Sequence, residues 1–290
     1  METIHPMSIA PIISCVIPVY NDKQHLPRAV DSVLAQRPDV QVVLVDDCSS
    51  DGSRELTLEM ARDDDRIVAF PLPSNRGQGY ARNVGVVVAD APYITFLDQD
   101  DEHVPGWYNH AIELLQANPD LAAVRGDIEL MELPPELSIS RADPRWPAMV
   151  NSTLWNMVIR KIAYHALGGC PTSSTFRTRE GVEDVPLVAA LVHHFNVLGT
   201  EHPATRHYVR PNNATAYFLK RTRVVGSRFE FVELTDAERG GTLEKALLEF
   251  HTRAAANTDA LRRLLKPKFR GVNHLVAQTA TRILQKLTRT

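Results

Sequence analysis

Three carboxylates within four residues, Asp98, Asp100 and Asp101, follow the apolar stretch YITFL. Clustered carboxylates repel one another and destabilise a fold unless a cation neutralises them. Oxygen-only ligands of this kind suit Mg²⁺ or Mn²⁺, which also take phosphate oxygens. A solvated acidic helix start is the other account of the same residues. The alternating aspartates and distal glutamate of an EF-hand loop are missing.

Three more segments carry chemistry-bearing residues. VDDCSSDGS ends an apolar run in Asp46 and Asp47. A carboxylate there can accept hydrogen bonds from a base or ribose, or can belong to a polar turn with a helix cap. SNRGQGYARNVG sets two glycines before a helical pattern bearing Arg82 and Asn83. Helix starts attract anions and arginine clamps phosphate, while a plain loop with a helix start fits equally. The later glycine of a dinucleotide fingerprint is absent. GVEDVPL begins another helical pattern with Glu183 and Asp184. Adjacent negative charge can raise one carboxyl pKa towards that of a general base, and helix starts favour such pairs in any case.

Other chemistries find no support. The histidines, including His193 and His194, show no HExxH or Cys/His ligand spacing. There is no GxSxG and no P-loop signature. Cys15, Cys48 and Cys170 form no CxxC pair, which argues against a disulfide framework and for a reducing cytoplasm. METIHPMSIAP lacks a signal-peptide pattern, and no run of about 18 apolar residues exists to span a membrane.

The elements that must position these residues are visible as alternating patterns. Ile12 to Tyr20, Val40 to Asp47, Arg66 to Phe70 and Tyr93 to Asp98 are short, apolar on both faces and rich in β-branched residues. They predict buried parallel strands. Leu26 to Leu34, Arg54 to Arg62 and Gly79 to Ala89 carry helical spacing between them. Strand and helix in alternation predict an α/β fold, a doubly wound and mostly parallel sheet. Ligands of such sheets sit beyond the carboxyl ends of the strands, where Tyr20, Asp47 and Asp98 to Asp101 all fall. Met131 to Val150 predicts a long loop, Arg160 to Leu167 a helix stopped by Gly168 and Gly169, and Val185 to His194 a further helix. From Thr242 onward the pattern is helical.

Taken together, the segments VIPVYND, VDDCSSDGS, NRGQGYARNVG, FLDQDD and GGC…GVEDVPL resemble, in that order, family 2 glycosyltransferases with the A-type nucleotide-sugar fold. The resemblance runs from about Ile12 to Thr215. It implies an inverting, metal-dependent, hexosyltransferase-like enzyme using Mg²⁺ or Mn²⁺. The donor would be a nucleotide-diphosphate sugar, with a UDP-sugar the leading choice. The acceptor would be a saccharide or lipid-linked hydroxyl in bacterial surface polysaccharide, lipopolysaccharide or glycolipid synthesis.

Roles follow from the resemblance position by position. Pro18, Tyr20 and Asp47 would border the base and ribose, and Arg82 the ribose or phosphates. Asp98 would face the donor, Asp100 and Asp101 would hold the metal, and Asp184 would be the catalytic base. Arg210 in RHYVRPNNAT stands where many relatives have a His that meets metal or diphosphate. Arginine cannot ligate a metal but can pair with diphosphate. His207 is off that register. The implied organisation is a transferase domain over 1–220, with nucleotide and acceptor halves meeting near 130, and a helical extension over 221–290.

The tail differs in charge from the rest. After Asp259 come eight basic residues and no acidic one, leaving 24 basic against 35 acidic residues before it. Val272, Leu275, Val276, Ile283, Leu284 and Leu287 share a helical face there. That pattern allows peripheral contact with the inner face of a membrane, docking on the domain, or a homodimer. No nucleic-acid partner is implied. A sugar nucleotidyltransferase and a non-catalytic nucleotide-sugar-binding protein of the same fold are the rival functions. The first normally has a glycine-rich loop where VYNDKQHLP stands.

Overall fold

The computed structural model describes residues 9–176, 183–211, 213–232 and 242–265. The chain opens as β1 (Ile13–Val19), α1 (Leu26–Leu34), β2 (Val40–Asp46), α2 (Ser53–Asp63), β3 (Ile67–Pro71), α3 (Gln78–Val88) and β4 (Tyr93–Phe96). Every residue of β1, β2 and β4 is buried, as expected of strands covered by helices on both faces. β1 pairs in parallel with β2 and β4, and β2 with β3. The four strands and three helices expected from the periodicity are therefore present, each within a few residues of its expected bounds.

The second half extends the same sheet. It contains β5 (Glu102–His103), α4 (Trp107–Ala117), β6 (Leu121–Met131), α5 (Trp146–Val150), β7 (Met157–Arg160), α6 (Lys161–Leu167), α7 (Asp184–His194) and β8 (Asn196–Tyr208). The eight strands lie in the order β3-β2-β1-β4-β7-β6-β8-β5. β7 runs antiparallel to both β4 and β6, and β5 antiparallel to β8. The remaining strands point one way, so the sheet is mostly parallel. The expected loop Met131 to Val150 is partly ordered: β6 reaches Met131, a 3₁₀ turn covers Pro135–Leu137, and α5 closes the segment.

After α8 (Ala214–Arg221) comes a hairpin, β9 (Thr222–Val225) and β10 (Arg228–Phe231), joined by Gly226 at φ 62°. The helical extension expected over 221–290 thus starts with a hairpin rather than a helix. VVGSRF places Gly-Ser between two β-rich runs, and a two-residue turn of this kind favours a hairpin. Helix α9 (Thr242–Leu265) follows, and its Phe250 and Ala254 join the same apolar cluster as Val16, Phe96, Leu187 and Leu191. The apolar face from Val272 to Leu287 lies outside the described residues. Among the described residues no helix is long and apolar enough to cross a membrane.

Helix α3 packs closely at two glycines, Gly85 against β1 and Gly79 against the turn after α6. A Cβ on Gly85 would collide with Val16 Cγ1, and one on Gly79 would stand 2.6 Å from the Pro171 carbonyl oxygen. Val16 is fully buried and β-branched, so it has no room to move aside. Gly85→Ala is expected to lower stability by about 1–3 kcal/mol through overpacking, despite the better helix propensity of alanine. Urea denaturation of the variant against the parent protein measures it.

Candidate active site

The carboxyl ends of β1, β2 and β4 open into a cleft of about 600 Å³. Pro18, Tyr20 and Asp47 form part of its wall, as do Asp98, Gln99 and Asp100. The loop before α3, Asn75 to Gly79, supplies another side, and Pro171, Thr172, Phe176 and Glu183 close the far end. Tyr20 is 49% exposed, and its backbone N–H and C=O are both held by the Gln99 side chain. Gln99 thereby ties the end of β1 to the acidic stretch.

Asp47 is 3% exposed. Its carboxylate accepts the backbone N–H groups of Arg76 at 2.7 Å and Gly77 at 2.8 Å. Gly77 has φ 88°, a conformation costly for any residue with a Cβ. Asp47 thus shapes the loop that faces the cleft as well as bordering the cleft itself. Asp46 points to the interior and pairs with Arg54 at 2.8 Å.

The three clustered aspartates have three different fates. Asp98 Oδ1 accepts from Gln78 Nε2 at 2.6 Å and from Arg82 Nη2 at 2.9 Å. Asp100 lies on the cleft wall, with Arg210 Nη1 3.5 Å from its Oδ2. Burial, then the charges of Asp101 and Asp98, push the Asp100 carboxyl up to about 7. Asp101 is fully buried, accepts His207 Nδ1 at 2.7 Å and Tyr208 N–H at 3.0 Å, and is absent from the cleft wall.

Two of the expected placements are therefore corrected. Asp101, expected to hold metal beside Asp100, is turned inward because His207 and the β8 backbone take both of its oxygens. Arg82, expected at the donor ribose or phosphates, is 1% exposed and absent from the cleft wall. It bridges Asp98 and Asp184 instead, pairing with Asp184 Oδ1 through Nη1. Burial works against its charge, but Asp184 and Asp98 outweigh this and hold the guanidinium protonated.

Asp184 opens helix α7 and is 6% exposed. Its Oδ2 accepts the Leu154 N–H at 3.2 Å. Burial, partly offset by Arg82 and reinforced by Glu183 and Asp98, pushes its carboxyl up to about 7. Glu183 reaches the cleft wall, and its Oε2 is buried without a partner among the described residues. Burial raises its pKa as well. Asn83, next to Arg82, accepts Cys170 N–H at 2.8 Å and Tyr164 O–H at 2.7 Å and donates to the Cys170 carbonyl at 2.9 Å. Arg82 and Asn83 thus join α3 to the second half of the chain at two points.

The donor set of the cleft fits a hard divalent cation. Asp100 offers a carboxylate whose charge is opposed by burial and by neighbouring carboxylates, a situation a cation would relieve. Among the described residues no three His, Cys, Asp or Glu side chains form a complete cage. Mg²⁺ and Mn²⁺ sites commonly use one or two carboxylates and complete their shell with substrate phosphate and water.

Residues 14–184 match the family model described as glycosyl transferase family 2. The chain belongs to that family. The putative teichuronic acid biosynthesis glycosyltransferase TuaG of Bacillus subtilis (strain 168) is 38% identical over 93 residues, 32% of this chain and 37% of the relative. The succinoglycan biosynthesis protein ExoO of Rhizobium meliloti (strain 1021) is 39% identical over 108 residues, 37% of this chain and 30% of the relative. The matches thus span about a third of the length of these curated relatives. Among solved structures, S. aureus TarS 1-349 in complex with UDP-GlcNAc aligns at TM-score 0.58 and 15% identity, covering 95% of this chain and 81% of that one. The mannosyltransferase PcManGT from Pyrobaculum calidifontis, in complex with GDP-Man and Mn²⁺, aligns at 0.53 and 16%, covering 98% and 83%. At such identities the likeness is one of fold, the A-type fold of these transferases.

Sequence reasoning gave no role to Gln78 or Gln99 and set His207 aside as off register. Gln78 and Gln99 lie inside the motifs NRGQGYARNVG and FLDQDD, but nothing in their type distinguishes them from solvated polar residues. His207 also stacks on Trp155, with ring centroids 5.0 Å apart, and its Nε2 meets Thr215 Oγ1 at 2.9 Å. Burial opposes its charged form, but the Asp101 carboxylate and its hydrogen bond prevail and raise the His207 pKa. His207→Ala leaves Asp101 buried without its partner and is expected to lower stability by about 3–5 kcal/mol. Guanidinium denaturation at pH 7 measures the loss, and a change under about 1 kcal/mol contradicts this role for His207.

Proposed function

We propose that this family 2 chain transfers a sugar from a nucleotide-diphosphate sugar to an acceptor hydroxyl. One observation carries it: the cleft joins a strand-end carboxylate at Asp47, a cation-ready carboxylate at Asp100 and, behind one wall, a buried acid with a pKa near 7 at Asp184. Pro18, Tyr20 and Asp47 border the base and ribose. Asp98 and Asp100 face the diphosphate. Arg210, beside Asp100, offers the diphosphate a bidentate cation.

Asp100, rather than the Asp100–Asp101 pair, would hold Mg²⁺ or Mn²⁺. When bound, the cation neutralises charge on the departing diphosphate. The residues of the chain do the rest. Asp184 takes the proton of the acceptor hydroxyl as that oxygen bonds to the anomeric carbon. The bond from that carbon to the phosphate oxygen breaks, and the nucleoside diphosphate leaves with the electron pair. Inversion at the anomeric carbon is what the family resemblance implies. The names of TuaG and ExoO favour an acceptor in bacterial surface polysaccharide synthesis, and a cytoplasmic site of action accords with such donors.

Asp184 must be ionised to accept a proton, so turnover should rise with pH through about 7 and level off above it. Asp184→Asn is expected to lower kcat by about 10²- to 10⁴-fold and to abolish that rise. A variant with undiminished transfer would falsify the base assignment.

Donor binding is tested by thermal shift with UDP-, GDP- and dTDP-sugars, each with and without Mn²⁺. A donor at a hundred times its Kd should stabilise the fold by about 2.7 kcal/mol, with a larger shift when Mn²⁺ is present. No shift with any nucleotide sugar overturns the proposed function.

A further inference from the structure

Arg82 is buried and is not itself part of the cleft wall, yet it contacts a carboxylate on each side of the reaction. Asp98 lies on the donor side at the end of β4. Asp184 lies on the acceptor side at the start of α7. Both Nη atoms are taken, and Nε is buried without a partner among the described residues. The guanidinium therefore cannot strengthen its hold on one carboxylate without changing its hold on the other.

We propose that Arg82 is a positioning residue that couples donor binding to the base: by sharing one guanidinium between Asp98 and Asp184, it makes the placement of Asp184 depend on whether the donor occupies the cleft. The proposal rests on the transfer reaction proposed above. An incoming diphosphate with its cation competes with Arg82 for Asp98, the carboxylate on the cleft wall. As that contact loosens, Arg82 turns to Asp184, which the Leu154 N–H holds from the other side. The base is then held in one geometry only once the donor is in place. Among the described residues, the groups that face Asp184 are Arg82 from α3, Asp98 from the β4 end, Cys170 from the turn after α6, and Glu183 beside it, and Arg82 is the only cation among these.

Coupling is reciprocal, so the state of Asp184 must alter donor affinity. In Asp184→Asn, Arg82 has Asp98 as its one anionic partner and holds it more firmly. Donor affinity should therefore fall, by about fivefold or more. In an Arg82→Met background the same Asp184→Asn change should leave donor affinity within about twofold, because the connection is gone.

The test is a double-mutant cycle by titration calorimetry, with a UDP-sugar and Mn²⁺ or whichever donor stabilises the parent protein. Arg82→Met alone should keep donor affinity within about threefold while kcat falls by about a hundredfold, and the rise of kcat with pH should move upward, since Arg82 favours the ionised base. Arg82→Lys, which keeps a charge but cannot span both carboxylates, should recover part of the turnover and part of the pH shift. It also serves as the folded control if circular dichroism finds the methionine variant unfolded. An equal effect of Asp184→Asn in both backgrounds, or an Arg82 variant whose donor affinity and turnover fall by the same factor, overturns the proposal. A parent protein that binds no nucleotide sugar overturns the transfer reaction instead, so the two failures are distinct.

Discussion

Arg82 carries a full charge in the interior of the protein, and its surroundings are organised to make that tolerable. A buried guanidinium loses several kcal/mol of hydration and survives only with close, well-oriented anions. Asp98 and Asp184 provide them. Helix α3 presses against β1 at Gly85 and against the turn after α6 at Gly79, where a Cβ would collide in each case. The same contact pins the start of α7 to the end of β4. Two carboxylates and the nearby Glu183 share one guanidinium, so negative charge is in excess. Burial above all, with that excess charge adding to it, pushes the Asp184 carboxyl up to about 7.

The acidic stretch is divided by a similar logic. Successive carboxylates cannot share one site without a cation, so the chain sends them to different counter-charges. Asp98 goes to Arg82 and Asp101 to His207, and Asp100 remains at the cleft with Arg210 beside it. The end of β8 supplies two of these partners. His207 is fixed by Asp101, by stacking on Trp155 and by Thr215 at the start of α8. Arg210 follows three residues later and reaches both Asp100 and Asp22 at 3.5 Å. The inward pair thus positions the outward arginine.

The second half of the chain also belongs to the core. Phe250 and Ala254 of α9 share an apolar cluster with residues of β1, β4 and α7. A helix that completes the core behind α7 helps to hold Asp184 where Arg82 can reach it. Helix α9 is in that respect part of the scaffold of the cleft rather than an appendage.

The sequence by itself determined the alternation of strands and helices in the first half, because buried parallel strands and amphipathic helices differ in their apolar period. It also determined which segments end at the cleft, since Pro18, Tyr20, Asp47, Asp98 and Asp100 all follow apolar runs that form the sheet. Local pattern could not show how the later strands enter. β7 is inserted antiparallel between β4 and β6, and such pairing depends on partners far apart in sequence. Nor could it show which way each side chain points. Asp100 and Asp101 are adjacent and chemically identical, yet one faces the cleft and the other His207, 106 residues away. Arg82 reads as an anion ligand beside a glycine-rich helix start, and only the packing of α3 against β1 and α7 turns it inward to two carboxylates. Residue type and spacing limit what chemistry is available. Tertiary packing decides which charges meet, because electrostatic pairing in a low-dielectric interior depends on distances that the linear chain does not contain.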